Sequence, residues 1–309
     1  MKIGILSKGP QLYSTQSLFH AGLRRGHSME IIDYTRCSLV MEDGRLEVCC
    51  DGLPLSGLDA VIPRIATSVT QDGAALAGHF ELMNVFTTTS AQALLLARDK
   101  LRTLQRLQAF GIEIPNTVFP GEEADLPALL SQLGGLPVVI KMIESTHGIG
   151  VILAETLHNA QSTLEAFQRL KTRVVVQEFI RKANGADIRA LVVQGEVVAA
   201  MKRQAREGDF RSNLHLGATA VPVKLSEQER TVVLKAARVM ELDVTGVDFL
   251  RSNRGPLVME MNASPGLEGI ETVTGVDVAG KIIEFIERKV NAKRKEPGVE
   301  SIKEGFENR

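Results

Sequence analysis

The chain has 309 residues, which at about 150 residues per domain suggests two domains. Hydrophobic residues make up 44% and charged residues 24%, enough apolar material for packed cores, so disorder of the bulk of the chain is excluded. Thirty-six basic residues against thirty-seven acidic ones, no Trp and two Tyr argue against a broad nucleic-acid surface or a base-stacking platform.

The three cysteines (Cys37, Cys49, Cys50) have no C-x-x-C spacing, so neither a disulfide framework nor a zinc site is expected. The apolar run Ile3 to Leu6 is too short for a signal peptide, and no stretch approaches the roughly 20 residues of a membrane span. The expectation is a cytoplasmic protein with no membrane partner.

In chain order, Lys2–Ser7 reads as a buried strand, Ser14–Arg25 as a helix stopped by Gly26, and Met29–Asp33 and Asp59–Arg64 as further strands. Met41–Gly57 is irregular or a hairpin. Helices are expected around Ala74–Val85 and Ala91–Phe110, with Lys100 at a helix start after Arg98 and Asp99. This rhythm predicts a small parallel sheet covered by helices.

The pattern then changes. Pro137–Met142 and Ile149–Leu153 flank E-S-T-H-G-I-G as strand, loop and strand, followed by a helix at Leu157–Leu170. Val174–Ile180, Asp187–Val193 and Val197–Arg203 read as strands, with Gly185 and Gly195 in turns. Ser226–Glu241 is a helix opened by a capping box, S-E-Q-E. Val244–Arg251 and Pro256–Asn262 pair around S-N-R-G, and Val278–Val290 is a last helix before a solvated tail, Asn291–Arg309. Antiparallel strands with segregated helices predict an α+β unit after the α/β one.

Glu260 and Asn262 lie two apart on one strand and so share a face, and pairing through the Ser252–Gly255 turn sets Asp248 opposite them. Three oxygen donors with apolar neighbours suit magnesium or manganese carrying phosphates, although two solvated carboxylates on a hairpin would give the same pattern. Lys141 ends the strand before the glycine loop that holds His147, Gly148 and Gly150. Glycine backbones there could nest phosphates or simply turn the chain. Lys100, Arg203 and Arg211 supply cations, and Val174–Ile180, with Glu178 and Phe179 at its end, could offer backbone to an adenine edge or be a core strand. His20, His27, His79, His158 and His215 have no metal spacing, and no nucleophile triad appears.

The ordered set of Lys100, Lys141 with its glycine loop, V-Q-E-F-I, D-I-R, G-D-F-R-S-N, Asp248 and M-E-M-N-A-S-P-G-L-E-G-I-E resembles the ATP-grasp ligases. Within them it is most similar to the RimK branch, which adds glutamate to a small-subunit ribosomal protein. The similarity runs from M-K-I-G-I-L-S through D-A-V-I-P-R-I and L-A-R-D-K-L-R to about residue 290. It implies three units and a tail: an N-terminal parallel α/β domain (1–97), a central lid domain with the glycine-rich hairpin (98–175), a C-terminal ATP-grasp domain (176–290) and a flexible tail (291–309).

By the resemblance, Lys100, Lys141 and the loop glycines Gly148 and Gly150 contact the phosphates, and Glu178 and Phe179 line the adenine site. Asp187 takes the ribose, and Arg203, Arg211, Ser212 and Asn213 reach the outer phosphates, with both arginines catalytic. Asp248, Glu260 and Asn262 hold two Mg2+ or Mn2+ ions.

The implied reaction is ATP-dependent peptide-bond formation through an acyl phosphate. The resemblance further implies that L-glutamate is joined to the C-terminal tail of a small-subunit ribosomal protein by a homo-oligomer such as a tetramer. The alternative is a ligase acting on free glutamate chains, a small molecule or a carrier protein. Relatives read Arg and Gly where this chain has Leu216–Ala218, and a Gln is common at His147, so acceptor choice is the open point. Arg64 ends a strand of the α/β domain, where such sheets place ligand contacts, and is expected to bind a substrate carboxylate or to pair structurally.

Overall fold

The structure is a computed structural model, and it describes residues 1–121, 123–143 and 149–295. Four sheets carry the fold. In the first, strands Ser28–Ile32, Lys2–Leu6, Ala60–Pro63 and Phe86–Thr87 lie side by side, all parallel. Alternation along these strands feeds two cores. Ile3, Ile5, Ala60 and Ile62 enter one with helix Tyr13–Arg24, whereas Leu6 and Val61 enter the other with helix Thr70–Leu82. The stretch Met41–Gly57, expected to be irregular or a hairpin, takes the second alternative, within an antiparallel meander of Cys37–Glu42, Arg45–Cys50 and Leu53–Pro54.

The expected helix Ala91–Phe110 is two helices, Ala91–Arg98 and Lys100–Ala109. Asp99 lies between them in an extended conformation, and its side chain accepts from the Arg102 amide at 3.0 Å. A carboxylate that caps a new helix start outweighs the continuous apolar spacing that predicted one rod. The break places Arg98 at the end of one helix and Lys100 at the start of the next.

The central sheet has the order Val151–Ala154, Val138–Met142, Val174–Glu178, Thr117–Val118, and the expected hairpin is its edge. It has a core of its own, built with helices Leu126–Gln132 and Leu157–Arg169. At Gly150 φ is +66°, and an added Cβ would come within 2.1 Å of the Met142 sulfur, so glycine is required there on both counts. Gly148 and His147 lie outside the described residues.

The C-terminal sheet has the order Thr219–Pro222, Glu196–Gln204, Ala186–Val193, Val244–Ser252, Gly255–Asn262, all antiparallel. One face packs against helix Glu227–Val239, whose capping box forms as expected between Ser226 and Glu229. Helix Lys100–Ala109 also packs on that side. Among the described residues no sheet runs across residue 97, whereas Val174–Glu178 belongs whole to the central sheet, so the expected division at 175 falls inside a strand.

The last helix runs Val278–Lys295, five residues into the segment expected to be a tail, because Lys293 donates to the Asn84 carbonyl and Arg294 pairs with Asp59. Its apolar side fills the core shared by the first and last sheets, with Phe285 fully buried against Phe86. Its polar side is fixed to the N-terminal unit by Glu287, which accepts from Arg25 in two contacts and meets His27 at 2.7 Å.

The Arg25 hydrogen bonds outweigh the partial burial of Glu287 and hold its carboxyl down to about 2. A carboxylate depressed in the folded state stabilises above its unfolded pKa, near 4.3, and loses that contribution as pH falls towards 2. Glu287→Gln should therefore lower the thermal midpoint at pH 7, and the gap to the wild type should shrink steadily below pH 4.5. A constant gap across that range would contradict the assignment.

Candidate active site

Strand pairing builds the site from one face of the C-terminal sheet. Asp187 and Arg189 are two apart on one strand and share a face. Asp187 is paired in register with Arg203, Arg189 with Asp248, and Asp248 with Glu260, while Asn262 stands two residues beyond Glu260. The expected convergence of Asp248, Glu260 and Asn262 is thus present. Farther along the same face, Leu191, Val193, Met201 and Val244 are apolar and lie under helices Glu268–Thr274 and Val278–Lys295. A single sheet face is split into a packed half and a charged half.

The charged half is an alternating network. Arg203 donates from Nε to Asp187 at 2.8 Å and closes a second contact from Nη2 to the same carboxylate. Its Nη2 also lies 3.1 Å from Asp248. Arg189 grips Asp248 with two hydrogen bonds, at 2.7 and 2.6 Å. Burial pushes Asp248 up, but Arg189 and Arg203 outweigh it and hold its carboxyl below the ordinary value. Sequence reasoning passed over Arg189. Its signal was the D-I-R spacing, which sets acid and base on one face.

Eleven of the expected residues line a single cleft: Lys100, Lys141, Glu178, Phe179, Asp187, Arg203, Arg211, Ser212, Asn213, Asp248 and Glu260. Its apolar part includes Val139, Ile180, Leu250 and Met259, with Phe179 and Phe210 edge to face at 6.3 Å. A flat apolar slot beside several cations suits a nucleotide. Glu178 has its carboxylate taken by the Asn116 amide at 2.7 Å and by Arg254, and Arg211 is turned onto Asp209 at 3.0 Å. Asn262 and Arg64 line an adjoining cavity instead. Leu216 ends the short turn Leu214–Leu216, whose other two residues line that cavity.

Among the described residues, no three Asp, Glu, His or Cys side chains form a ready metal cage. The expected third donor is an amide, and both oxygens of Asp248 are held by guanidinium groups. Asn262 donates its amide N–H to Gly246 O and to Asp248, each at 3.3 Å, which leaves its carbonyl oxygen to accept. Glu260 has Lys100 3.8 Å away. This hard oxygen set fits a divalent ion of the magnesium class, with Arg189 and Arg203 yielding part of their hold on Asp248.

Comparison with known proteins decides the family. A family described as the RimK-like ATP-grasp domain matches residues 97–286, and one described as the RimK PreATP-grasp domain matches residues 1–94. The chain belongs to the RimK-like ATP-grasp family. It is an ATP-dependent ligase.

A probable alpha-L-glutamate ligase 1 of Hahella chejuensis is 53% identical over 294 residues, covering 95% of this chain and 97% of that protein. A probable alpha-L-glutamate ligase of Vibrio cholerae is 52% identical, covering 95% of this chain and 98% of that protein. The ATP-grasp fold recurs in the ligase PsnB with its minimal precursor, at TM-score 0.72 and 20% identity, over 93% of this chain and 98% of the other. D-alanine–D-alanine ligase of Bacillus anthracis with ATP gives TM-score 0.69 at 17% identity, over 96% and 100%. PsnB with a phosphomimetic precursor variant, Mg and ADP gives TM-score 0.70 at 19% identity, over 93% and 98%. No described helix is long and apolar enough to cross a membrane.

Two outcomes follow from the geometry. Burial pushes Lys141 down to about 8, with Lys100 adding to the effect and Glu260 opposing it. Its cationic form is lost as pH rises through that value, so the dissociation constant for ATP should be flat below about pH 7 and roughly double by pH 8. Above that it should rise by up to tenfold per pH unit, and Lys141→Met should bind more weakly without that slope. Calorimetric titration at several pH values checks this. Separately, Asp248→Asn removes the charge partner of the partly buried Arg189 and one of the two partners of Arg203. Denaturant unfolding without nucleotide or metal should show a loss of about 3–5 kcal/mol, and an unchanged midpoint would refute the network's structural role.

Proposed function

We propose that this chain is an α-L-glutamate ligase that adds L-glutamate to the C-terminus of a small-subunit ribosomal protein. The observation that carries the ligase chemistry is the meeting of two cavities. The nucleotide cleft and the adjoining cavity share Arg203, Asn213 and Glu260. A phosphoryl group delivered from one side meets a carboxylate delivered from the other at those three residues. The names of the relatives, at about half identity over nearly their whole length, support glutamate as the amino acid.

In this reading a terminal carboxylate oxygen of the acceptor attacks the γ-phosphorus of ATP, the bond to the bridging oxygen breaks, and ADP leaves. The product is an acyl phosphate, which replaces an impossible oxide leaving group with phosphate. The neutral amine of glutamate then adds to the acyl carbon, phosphate departs with the acyl C–O bond, and the amine loses a proton. No protein nucleophile is needed.

The proposed roles follow the placement of the side chains. Phe179 and Phe210 hold the base, Glu178 fixes the strand end beside it, and Asp187 serves the ribose while aiming Arg203. Lys100, Lys141, Arg211, Ser212 and Asn213 bind the phosphates and the loop glycine Gly150 covers them, while the same role for Gly148, outside the described residues, rests on the family resemblance alone. Arg203 and Arg211 neutralise charge on the transferred group without moving far, which is where electrostatic catalysis gains most. Glu260, Asn262 and Asp248 would hold two Mg2+ or Mn2+ ions, which screen the triphosphate. Arg64, in the adjoining cavity, would contact a substrate carboxylate.

The protein should release ADP only when both L-glutamate and a glutamate-terminated peptide matching a ribosomal-protein tail are present. Mass spectrometry should show the peptide lengthened by glutamyl residues. Glutamate oligomers formed without peptide would replace the ribosomal acceptor with free glutamate chains. No ADP from any glutamyl acceptor would end the ligase reading.

A further inference from the structure

The adjoining cavity contains two guanidinium groups that the network above does not use. Arg64 follows the strand Ala60–Pro63, and Arg98 ends the helix Ala91–Arg98. Both line this cavity, with Tyr34 and Lys8 beside them. Among the described residues neither has a carboxylate within ion-pair distance, whereas Arg189 and Arg203, which line the same cavity, are matched to Asp248 and Asp187. Arg64 makes one protein hydrogen bond, from Nη1 to the Pro265 carbonyl at 2.8 Å. Arg98 uses Nη1 on Thr67 Oγ1 at 2.5 Å and Nη2 on the Ile65 carbonyl at 2.6 Å. Its Nε is buried and has no partner.

A guanidinium offers five N–H donors, and most of those on Arg64 lack a protein acceptor. Burial and the neighbouring Arg98 charge push Arg64 down to about 10, as expected for two cations held together without an anion. Glu260 acts on Arg98 through space and partly offsets the effect of burial.

The arrangement is fixed in advance. The segment from Arg64 to Thr67 is pinned by the Ala66 amide donating to Tyr34 Oη at 3.1 Å and by the two Arg98 contacts. Because Asp99 breaks the helix, Arg98 faces this cavity while Lys100 faces the nucleotide cleft. The phosphates have their own cations in that cleft. The unmatched pair therefore belongs to the other reactant, and planar guanidinium groups suit a planar carboxylate.

Resting on the ligase reading above, we propose that Arg64 and Arg98 form a paired guanidinium seat for the non-reacting carboxylate of a glutamyl substrate. That carboxylate is carried either by free L-glutamate or by the terminal glutamate of the acceptor. The seat makes these two arginines specificity-determining residues, selecting acid over amide.

Steady-state ADP release by the full chain at saturating ATP tests the seat. One arm varies L-glutamate against L-glutamine with a fixed glutamate-terminated peptide, and the other varies peptides ending in glutamate or glutamine with L-glutamate fixed. In one arm, Arg64→Gln and Arg98→Gln should each raise KM for the glutamyl reactant by about 10- to 100-fold. They should also narrow the preference for acid over amide, leave KM for ATP unchanged, and recover in part in Arg98→Lys. The responding arm identifies which reactant sits there.

Arg64→Gln removes a single protein hydrogen bond, so it keeps the test open if Arg98→Gln loosens the loop. A merely structural role would lower kcat or the thermal midpoint and leave the acid-over-amide ratio intact in both arms. That result, with a working wild type, overturns the seat alone. A wild type that turns over no glutamyl substrate removes the ligase reading and the seat with it.

Discussion

Four charged side chains on one sheet face, in the spatial order Asp187, Arg203, Asp248, Arg189, set the terms for everything around them. Each is taken largely out of water, and an isolated charge so placed would cost several kcal/mol. Alternation of sign removes most of that cost, because every carboxylate meets a guanidinium at hydrogen-bond distance. The alternation depends on register. A slip of one residue in either strand pair would turn half of the charges into the opposite core. The apolar run of the same face, from Leu191 to Val244, supplies the penalty for such a slip, since it would expose that run to water. Packing at one end of the sheet holds the charge pattern at the other.

The same face explains what could be read from the amino-acid order and what could not. Asp248, Glu260 and Asn262 were legible because a short turn, S-N-R-G, leaves one pairing for two adjacent strands, and alternation then fixes the face. The glycine-loop hairpin was legible for the same reason. Arg189 was harder to see because its partner lies 59 residues away on a strand joined by a long connection. Local spacing places it on a face but does not say what it meets. Arg98 was hidden by its neighbour: apolar spacing runs on through Asp99, and only the capping bond shows that the two sides of that residue serve different cavities. The meander Cys37–Pro54 was legible too: D-G at Asp43–Gly44 and again at Asp51–Gly52 joins its strands, with all four residues at positive φ, and a reading as irregular or a hairpin undervalued those two turns.

Long connections also hide which units move together. The first and last sheets share both of their large cores, and the final helix packs across them with Phe285 and Ile286 fully buried. The central sheet contributes to neither and keeps its own small core of Val138, Ile140, Val176 and helix residues. A unit with a separate core can shift against its neighbours without opening theirs. Lys141 rides on that unit, whereas Lys100, Arg203 and Arg211 ride on the other. The cations assigned to a triphosphate in the proposed reaction are therefore divided between two separately packed units, so that binding it would draw the units together.

That division bears on how water is kept from an acyl phosphate. The intermediate is vulnerable from the moment ADP separates until the amine arrives, and the shared wall of Arg203, Asn213 and Glu260 is where it would lie. On the nucleotide side, closure of the central unit over the phosphates can shut the cleft. On the other side the wall belongs to the rigid pair of sheets, including the pinned segment from Arg64 to Thr67, and does not move with the lid. Protection there has to come from the reactant itself filling the cavity. A rigid, cation-lined wall favours an occupant that is held by charge and already oriented, since an ordered reactant excludes water at the acyl carbon more completely than a mobile one. In the proposed reaction the two halves of the site would solve one problem by different means, a cover carried on the separately packed central sheet for the nucleotide and a fixed electrostatic seat for the acid.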